Sequence, residues 1–142
     1  MAAITWQDVT ADWAKRPWWM NLIFYFCLYM TFIYMPFDIF YKPVAEDEEV
    51  WFGITLVGWW AKATAPLHWL IYGGLAYGLW RMKSWVWLFA TLYLVQIVIA
   101  MFFWNILDHR GGGVMAGAIA AAVFLLPTIA MYRSRETFSS HG

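Results

Sequence analysis

Residues 85–107 form a long apolar run, WVWLFATLYLVQIVIAMFFWNIL, that contains no ionisable side chain, no proline and no glycine. An α-helix rises about 1.5 Å per residue, so this run predicts a helix of about 34 Å. That length crosses a hydrocarbon core of about 30 Å with a slight tilt. A helix of a soluble protein keeps one polar face, whereas this run has apolar residues on every side. The run therefore predicts a membrane span and sets the scale for the other segments.

Three further segments have the composition of membrane spans, at about residues 18–36, 65–82 and 113–132. Hydrophobic residues make up 63% of the 142-residue chain and charged residues 13%, whereas soluble domains average about 45–50% and about 25%. Four spans with short connections use nearly the whole chain, so we expect residues 1–142 to form a single membrane domain. The predicted fold class is all-α integral membrane, as a compact bundle of four transmembrane helices.

The segments outside these spans are expected at the membrane surface. Residues 1–16 place tryptophans on one side of a short amphipathic helix, which predicts an interfacial segment. Residues 50–61 are apolar but too short to cross, so they predict a short interfacial or re-entrant helix between the first two spans. The acidic run at 45–49 predicts a solvated loop, and residues 133–142 predict a short polar tail.

The basic residues are unevenly distributed between the two predicted ends of the bundle. Four crossings place six of them on the side of the termini and three on the other, namely Lys15, Arg16, Arg81, Lys83, Arg133 and Arg135 against Lys42, Lys62 and Arg110. Because Lys and Arg concentrate on the cytoplasmic side, we expect both termini to be cytoplasmic, in a cytoplasmic (inner) membrane. The net charge is zero, so the sequence offers no basic field for a nucleic acid, and membrane lipids are the expected surroundings.

Small residues recur at helical spacing in two of the predicted spans. Gly74 and Gly78 form a GxxxG pair in the second span, and Gly113 and Gly117 form another in the fourth. Helices in lipid associate through close backbone approach, so these faces are predicted to pack within the bundle. The alternative is that one of them forms a homo-oligomer or contacts another membrane subunit.

Gln96 is the strongly polar residue nearest the middle of the 85–107 run. Its depth matches that of Gly73 and Gly74 in the second span. An amide inside a membrane needs hydrogen-bond partners, so Gln96 is predicted to bond to a neighbouring helix. Contact with a ligand in a cavity is the alternative.

Two ionisable residues, Asp38 and His68, are predicted near the non-cytoplasmic ends of the first two spans. Ionisable groups in membranes are costly and often functional, so both are candidate catalytic residues. The simpler interpretation is a structural hydrogen bond from His68 to a backbone carbonyl or to Asp38. No second ligand stands at a suitable spacing, so we assign no metal ligand; a metal or tetrapyrrole on His68 is the weaker alternative.

The interior aromatic residues leave two functions open. The sequence carries no recognisable catalytic motif, which favours an accessory or assembly subunit of a larger membrane complex. Alternatively, an aromatic cavity suits a binding protein or isomerase for a hydrophobic ligand such as a sterol, quinone, lipid or pigment. Its predicted ligand-binding residues are Asp38, His68, Tyr72, Tyr93 and Gln96. The sequence names no cofactor and leaves open whether the protein is an enzyme.

Overall fold

The computed structural model describes residues 2–139, and the chain is mostly helical, at 77%. The last three residues of the predicted tail, 140–142, lie outside the described range. In chain order the helices are α1 (Trp6–Trp13), α2 (Trp18–Tyr29), α3 (Met35–Phe40), α4 (Trp59–Trp80), α5 (Ser84–Leu107), α6 (Gly113–Arg133) and α7 (Arg135–Ser139). A two-stranded antiparallel sheet of β1 (Glu48–Trp51) and β2 (Ile54–Val57) lies between α3 and α4.

Among residues 2–139, three helices are long and apolar enough to cross a membrane: Trp18–Phe40, Ser84–Leu107 and Gly113–Arg133. These helices indicate a membrane protein, as the sequence predicted. The other long helix, α4, has 22 residues but is not among the three. It includes Lys62, Pro66 and His68 and is rich in tryptophan, tyrosine and glycine, all of which lower its hydropathy.

The first span continues past its proline. A π-helical turn at Met30–Tyr34 joins α2 to α3, and Pro36 follows directly after it. Proline has no N–H to donate to the preceding turn, and a widened turn is one way to accommodate that loss. The expected end of the span near residue 36 therefore moves to Phe40.

The helix predicted at 50–61 is wrong, because most of this segment forms the β1–β2 hairpin. The strands pair from Glu48 with Val57 to Trp51 with Ile54, which leaves a two-residue turn at Phe52 and Gly53. Both turn residues have positive φ, 51° and 91°, as the tight I′ hairpin turn requires. Such turns favour Asn-Gly or Asp-Gly, so Phe-Gly gives a weak hairpin signal in the sequence.

Helix α4 runs antiparallel to α2 and α5. Near the start of α2, Arg16 donates to the carbonyl of Leu79 at 2.8 Å, close to the end of α4. Towards the other end, Trp69 donates from its indole N–H to the carbonyl of Thr31 at 2.8 Å. The buried core gathers at the Arg16 end, where its largest fully buried members are Met20, Leu79, Met82, Val86, Met131 and Phe138.

The four predicted packing glycines differ in their surroundings. A Cβ at Gly78 would lie 2.6 Å from Cγ2 of Val86, and one at Gly117 would lie 2.7 Å from the carbonyl oxygen of Phe102, so both helices approach α5 closely there. Gly74 is looser, with its nearest neighbour 3.8 Å away. Gly113 does not serve as a packing residue, because no other element within residues 2–139 lies within 4 Å of a Cβ built on it, and its φ of 84° belongs to the start of α6.

Candidate functional site

The hairpin is fastened to α5 at its tip. The backbone N–H of Phe52 donates to Oε1 of Gln96 at 3.1 Å, and Gly53 leaves no room for a Cβ against the backbone of Phe103 and Trp104. Gln96 therefore bonds to the hairpin. The sequence had predicted a bond to a neighbouring helix, at the depth of Gly73 and Gly74, and that prediction is wrong. Phe52 has a positive φ, which bulky residues avoid. The bond to Gln96 satisfies its backbone N–H in this turn.

A second group of contacts fastens the base of the hairpin to the end of α5. Thr55 donates to Oδ2 of Asp108 at 2.9 Å, and Arg110 bonds both Asp108 and Glu48, at 2.9 and 2.8 Å. The hydrogen bonds from Arg110 hold the pKa of Asp108 well below its ordinary value. Asp108 and Arg110 thus join α5 to both strands.

A cavity of about 440 Å³ lies between the π-helical turn, β1, α4 and α5. Four of the five ligand-binding residues predicted from the sequence line it: His68, Tyr72, Tyr93 and Gln96. Its volume falls within the range of about 300–1,000 Å³ that is typical of small-molecule sites. The fifth residue, Asp38, does not line this cavity.

His68 is held in one orientation by two residues of β1. Its Nδ1 pairs with the carboxylate of Glu49, and its ring stacks on Trp51 with 3.7 Å between centroids and 5° between planes. The partner expected from the sequence, Asp38, is therefore replaced by Glu49. When the His68 ring is neutral and Glu49 is ionised, Nδ1 donates its hydrogen to the carboxylate, and Nε2 is then the acceptor of the ring.

Several hydrogen-bonding groups of the cavity wall have no partner among residues 2–139. They include Nε2 of His68, the side-chain NH₂ of Gln96 and the hydroxyl proton of Tyr72, beside the Tyr34 hydroxyl, the Trp104 indole N–H and the second carboxylate oxygens of Glu48 and Glu49. The Phe52 N–H can only donate, so it must face the amide oxygen of Gln96. The NH₂ group of that amide therefore points the other way. Tyr93 donates to Tyr72 at 3.0 Å, so the Tyr72 hydroxyl keeps its own proton for another acceptor. Among these groups, Gln96 and Tyr72 offer donors beside the ring nitrogen of His68.

Asp38 belongs instead to a buried carboxylate–lysine cluster, made of Asp38, Lys42, Asp47 and Lys62. Lys42 lies 3.2 Å from Asp38 and 3.5 Å from Asp47. Lys62 lies 3.1 Å from Asp47 and also bonds the backbone carbonyl of Asp38. Burial lowers the pKa of Lys42, but the surrounding acidic groups outweigh it and place that pKa above its ordinary value.

The same cluster brings three carboxylates close together. Oxygens of Asp38, Asp47 and Glu49 lie within 4.8 Å of one another, as in sites for divalent cations. Two ammonium groups already approach Asp38 and Asp47. We therefore assign the cluster a structural role, in which it joins α3, the hairpin and α4.

Sequence reasoning missed three residues around the site. Asp47, Glu49 and Trp51 alternate with a period of two, so an extended segment places their side chains on one face. The acidic run was expected to form a solvated loop, but Asp47 and Glu49 are buried. This period of two was the sequence signal for a strand. It was not used, because residues 50–61 were predicted to be helical.

Comparison of the chain with protein-family models, with curated proteins and with solved structures found no match.

Proposed function

We propose that this protein binds a hydrophobic membrane-soluble ligand in the cavity beside His68, through a polar end of that ligand. One observation carries the proposal: the cavity wall combines aromatic rings with hydrogen-bonding groups that have no described partner. Such groups are costly inside a membrane unless something satisfies them. A ligand with a hydroxyl group or carbonyl oxygen would do so.

The donors and acceptors in the wall limit which polar groups the ligand can carry. A hydroxyl can donate to Nε2 of His68 and accept from Gln96 or Tyr72, and a carbonyl oxygen can accept from Gln96 and Tyr72. Sterols, quinones, many lipids and many pigments carry such oxygens. Should the protein transform its ligand, His68 is placed to move a proton, with Glu49 at its other ring nitrogen. Asp38 is a weaker catalytic candidate, because Lys42 and Lys62 surround it outside the cavity.

The test is native mass spectrometry of the full chain after gentle extraction, followed by identification of bound small molecules. We expect wild-type protein to retain an oxygen-containing lipid that is at least fivefold depleted in His68→Ala and in Gln96→Ala. Leu70→Ala is the matched control, since Leu70 lies on α4 and is 73% exposed. Equal retention by all four proteins would reject the proposal.

The proposed setting is a four-span bundle, with α4 as the additional span, α1 in the interface and both termini in the cytoplasm. The antiparallel packing of α4 between α2 and α5 supports it. So does the gathering of Arg16, Arg81 and Arg135 around the end where α4 meets α5. Reporter tags at the two termini test the topology, which fails if they lie on opposite sides of the membrane.

The accessory-subunit function predicted from the sequence remains a second candidate. The observation in its favour is the outer face of α6, where Ala118 and Ala122 are exposed one turn apart among larger apolar side chains. Small residues on an exposed face permit close approach of a further helix. Recovery of stoichiometric membrane partners in the same mass spectrum would support this candidate. A monodisperse chain that carries a bound lipid and no partner would count against it.

A further inference from the structure

A second cavity of about 260 Å³ lies on the other side of the tyrosine pair from His68. It is bounded by α2, α4, α5 and α6, and its wall is almost wholly apolar. Members of that wall include Leu22, Phe26, Cys27, Ala90, Leu94 and Phe124. Leu22 and Phe26 are also more than half exposed, so this cavity reaches the lipid-facing surface of the helices.

Tyr72 and Tyr93 line both cavities, as does Ile97. The two rings meet edge to face at 5.6 Å, and their hydroxyls are hydrogen-bonded to each other. The boundary between the cavities is therefore only one pair of side chains thick. On one side the wall carries His68 and Gln96, and on the other it carries nothing that hydrogen-bonds strongly apart from the shared tyrosines.

We infer that the apolar cavity holds the aliphatic or isoprenoid chain of the same ligand, which moves the side chains of Tyr72 and Tyr93 apart to pass between the cavities, so that the ligand is a long-chain amphiphile with a neutral polar end. This inference rests on the proposed function, because it needs the polar end beside His68. One cavity offers hydrogen-bonding groups and the other is apolar, just as such a molecule has a polar end and an apolar chain. A compact fused-ring ligand would fill the polar cavity and leave the apolar cavity unused.

Photolabelling of the full-length protein in phosphatidylcholine nanodiscs tests this inference with two probes. Both are hexadecanol, with a diazirine next to the hydroxyl in one and at the terminal carbon in the other. The first is expected to label the polar cavity, at residues such as Met30, Met101 and Trp104. The second is expected to label the apolar cavity, at residues such as Cys27 and Leu94.

Variants separate a bound ligand chain from an ordinary bilayer chain. Leu22→Trp blocks the apolar cavity at its exposed edge, and we expect at least fivefold weaker labelling by the terminal probe. Leu88→Trp is the matched control, because Leu88 is 49% exposed and lines neither cavity. His68→Ala should weaken labelling by both probes at least fivefold, since it removes the acceptor for the hydroxyl.

The outcomes distinguish the two proposals. If the first probe labels the polar cavity but the second probe labels only residues outside the apolar cavity, this inference alone is overturned. Labelling of the apolar cavity that His68→Ala leaves unchanged identifies a bilayer chain and also overturns it. Absence of label from the polar cavity overturns the proposed function and this inference together.

Discussion

The imidazole of His68 lies parallel to the indole of Trp51, 3.7 Å from it, while Glu49 of the same strand pairs with Nδ1. Residues 49 and 51 are two apart, so one strand face supplies both contacts. The stacking fixes the ring plane and the carboxylate occupies Nδ1. Only Nε2 remains for a ligand, which makes the hairpin a part of the site as well as a cover for it.

Replacing Trp51 with alanine is expected to weaken ligand retention. Aromatic stacking contributes about 0.5–1.5 kcal/mol beyond burial, so we expect retention to fall by about two- to tenfold. Trp51→Phe keeps a stacking ring, so its ligand retention should fall less. Trp60→Ala changes an exposed position on α4, so its ligand retention should equal that of the wild type. Native mass spectrometry of the bound lipid measures the effect. A Trp51→Ala protein with full retention would show that the stack does not position His68.

Removing the amide of Gln96 is expected to loosen the hairpin. In Gln96→Met the Phe52 N–H loses its acceptor, and because this bond is only partly buried, we expect a cost at the lower end of the about 1–3 kcal/mol of an unsatisfied buried donor. We expect a lower melting temperature in detergent and faster amide exchange at residues 50–55. Val95→Met, on the exposed side of α5, is the control. Unchanged exchange in the hairpin would mean that the Gln96 bond does not hold it.

The spans and the site were predictable to different degrees. The length of the apolar runs predicted the three candidate spans, since a run as long as 85–107 fits few structures other than a membrane-spanning helix. The hydrogen-bonding residues His68, Tyr72, Tyr93 and Gln96 were predicted individually, and the structure brings them to one cavity. The depth count was less accurate, because it matched Gln96 with Gly73 and Gly74, whereas Gln96 bonds to Phe52 and Tyr93 meets Tyr72.

The hairpin was not predictable by the same means. Its turn is Phe-Gly, and the tertiary contacts of Phe52 with Gln96 and of Gly53 with α5 supply what local preference does not. Long-range contacts of this kind leave no periodic signal. Because the hairpin carries Glu49 and Trp51, the partners of His68 were missed together with it.

Gly78→Ala is expected to destabilise the contact between α4 and α5. The new Cβ would lie 2.6 Å from Cγ2 of Val86, so the helices must separate or repack, at a cost of about 1–3 kcal/mol. Gly73→Ala is a matched control on the same helix, because its Cβ would lie at an ordinary 3.7 Å from Thr31. Thermal unfolding in detergent compares the two. Equal melting temperatures would show that α4 and α5 do not need the close approach at Gly78.

Lys62→Met is expected to be among the more destabilising single changes in the chain. Asp47 is fully buried and lies 3.1 Å from Lys62 and 3.5 Å from Lys42, so removing Lys62 leaves it one more distant partner and should cost less than the about 3–5 kcal/mol of a fully unpaired buried charge. The double variant Lys62→Met with Asp47→Asn removes the uncompensated charge and should recover part of the loss. The midpoint of unfolding in denaturant measures both. A double variant less stable than Lys62→Met would contradict the pairing.

The contacts of Asp108 predict a dependence of hairpin stability on pH. Hydrogen bonds from Arg110 lower the pKa of Asp108 below its ordinary 3.8, so the folded state favours the carboxylate. A group with a lowered folded pKa contributes stability above its unfolded pKa, and that contribution is lost as the pH falls further towards the folded pKa. We therefore expect amide exchange at residues 54–57 to be constant from pH 7 to about pH 5, after correction for the intrinsic rate, and to accelerate below about pH 4. In Asp108→Asn the exchange should be faster at pH 7 and change less on acidification, since the titrating group is gone. Identical pH profiles for the two proteins would mean that Asp108 does not hold β2.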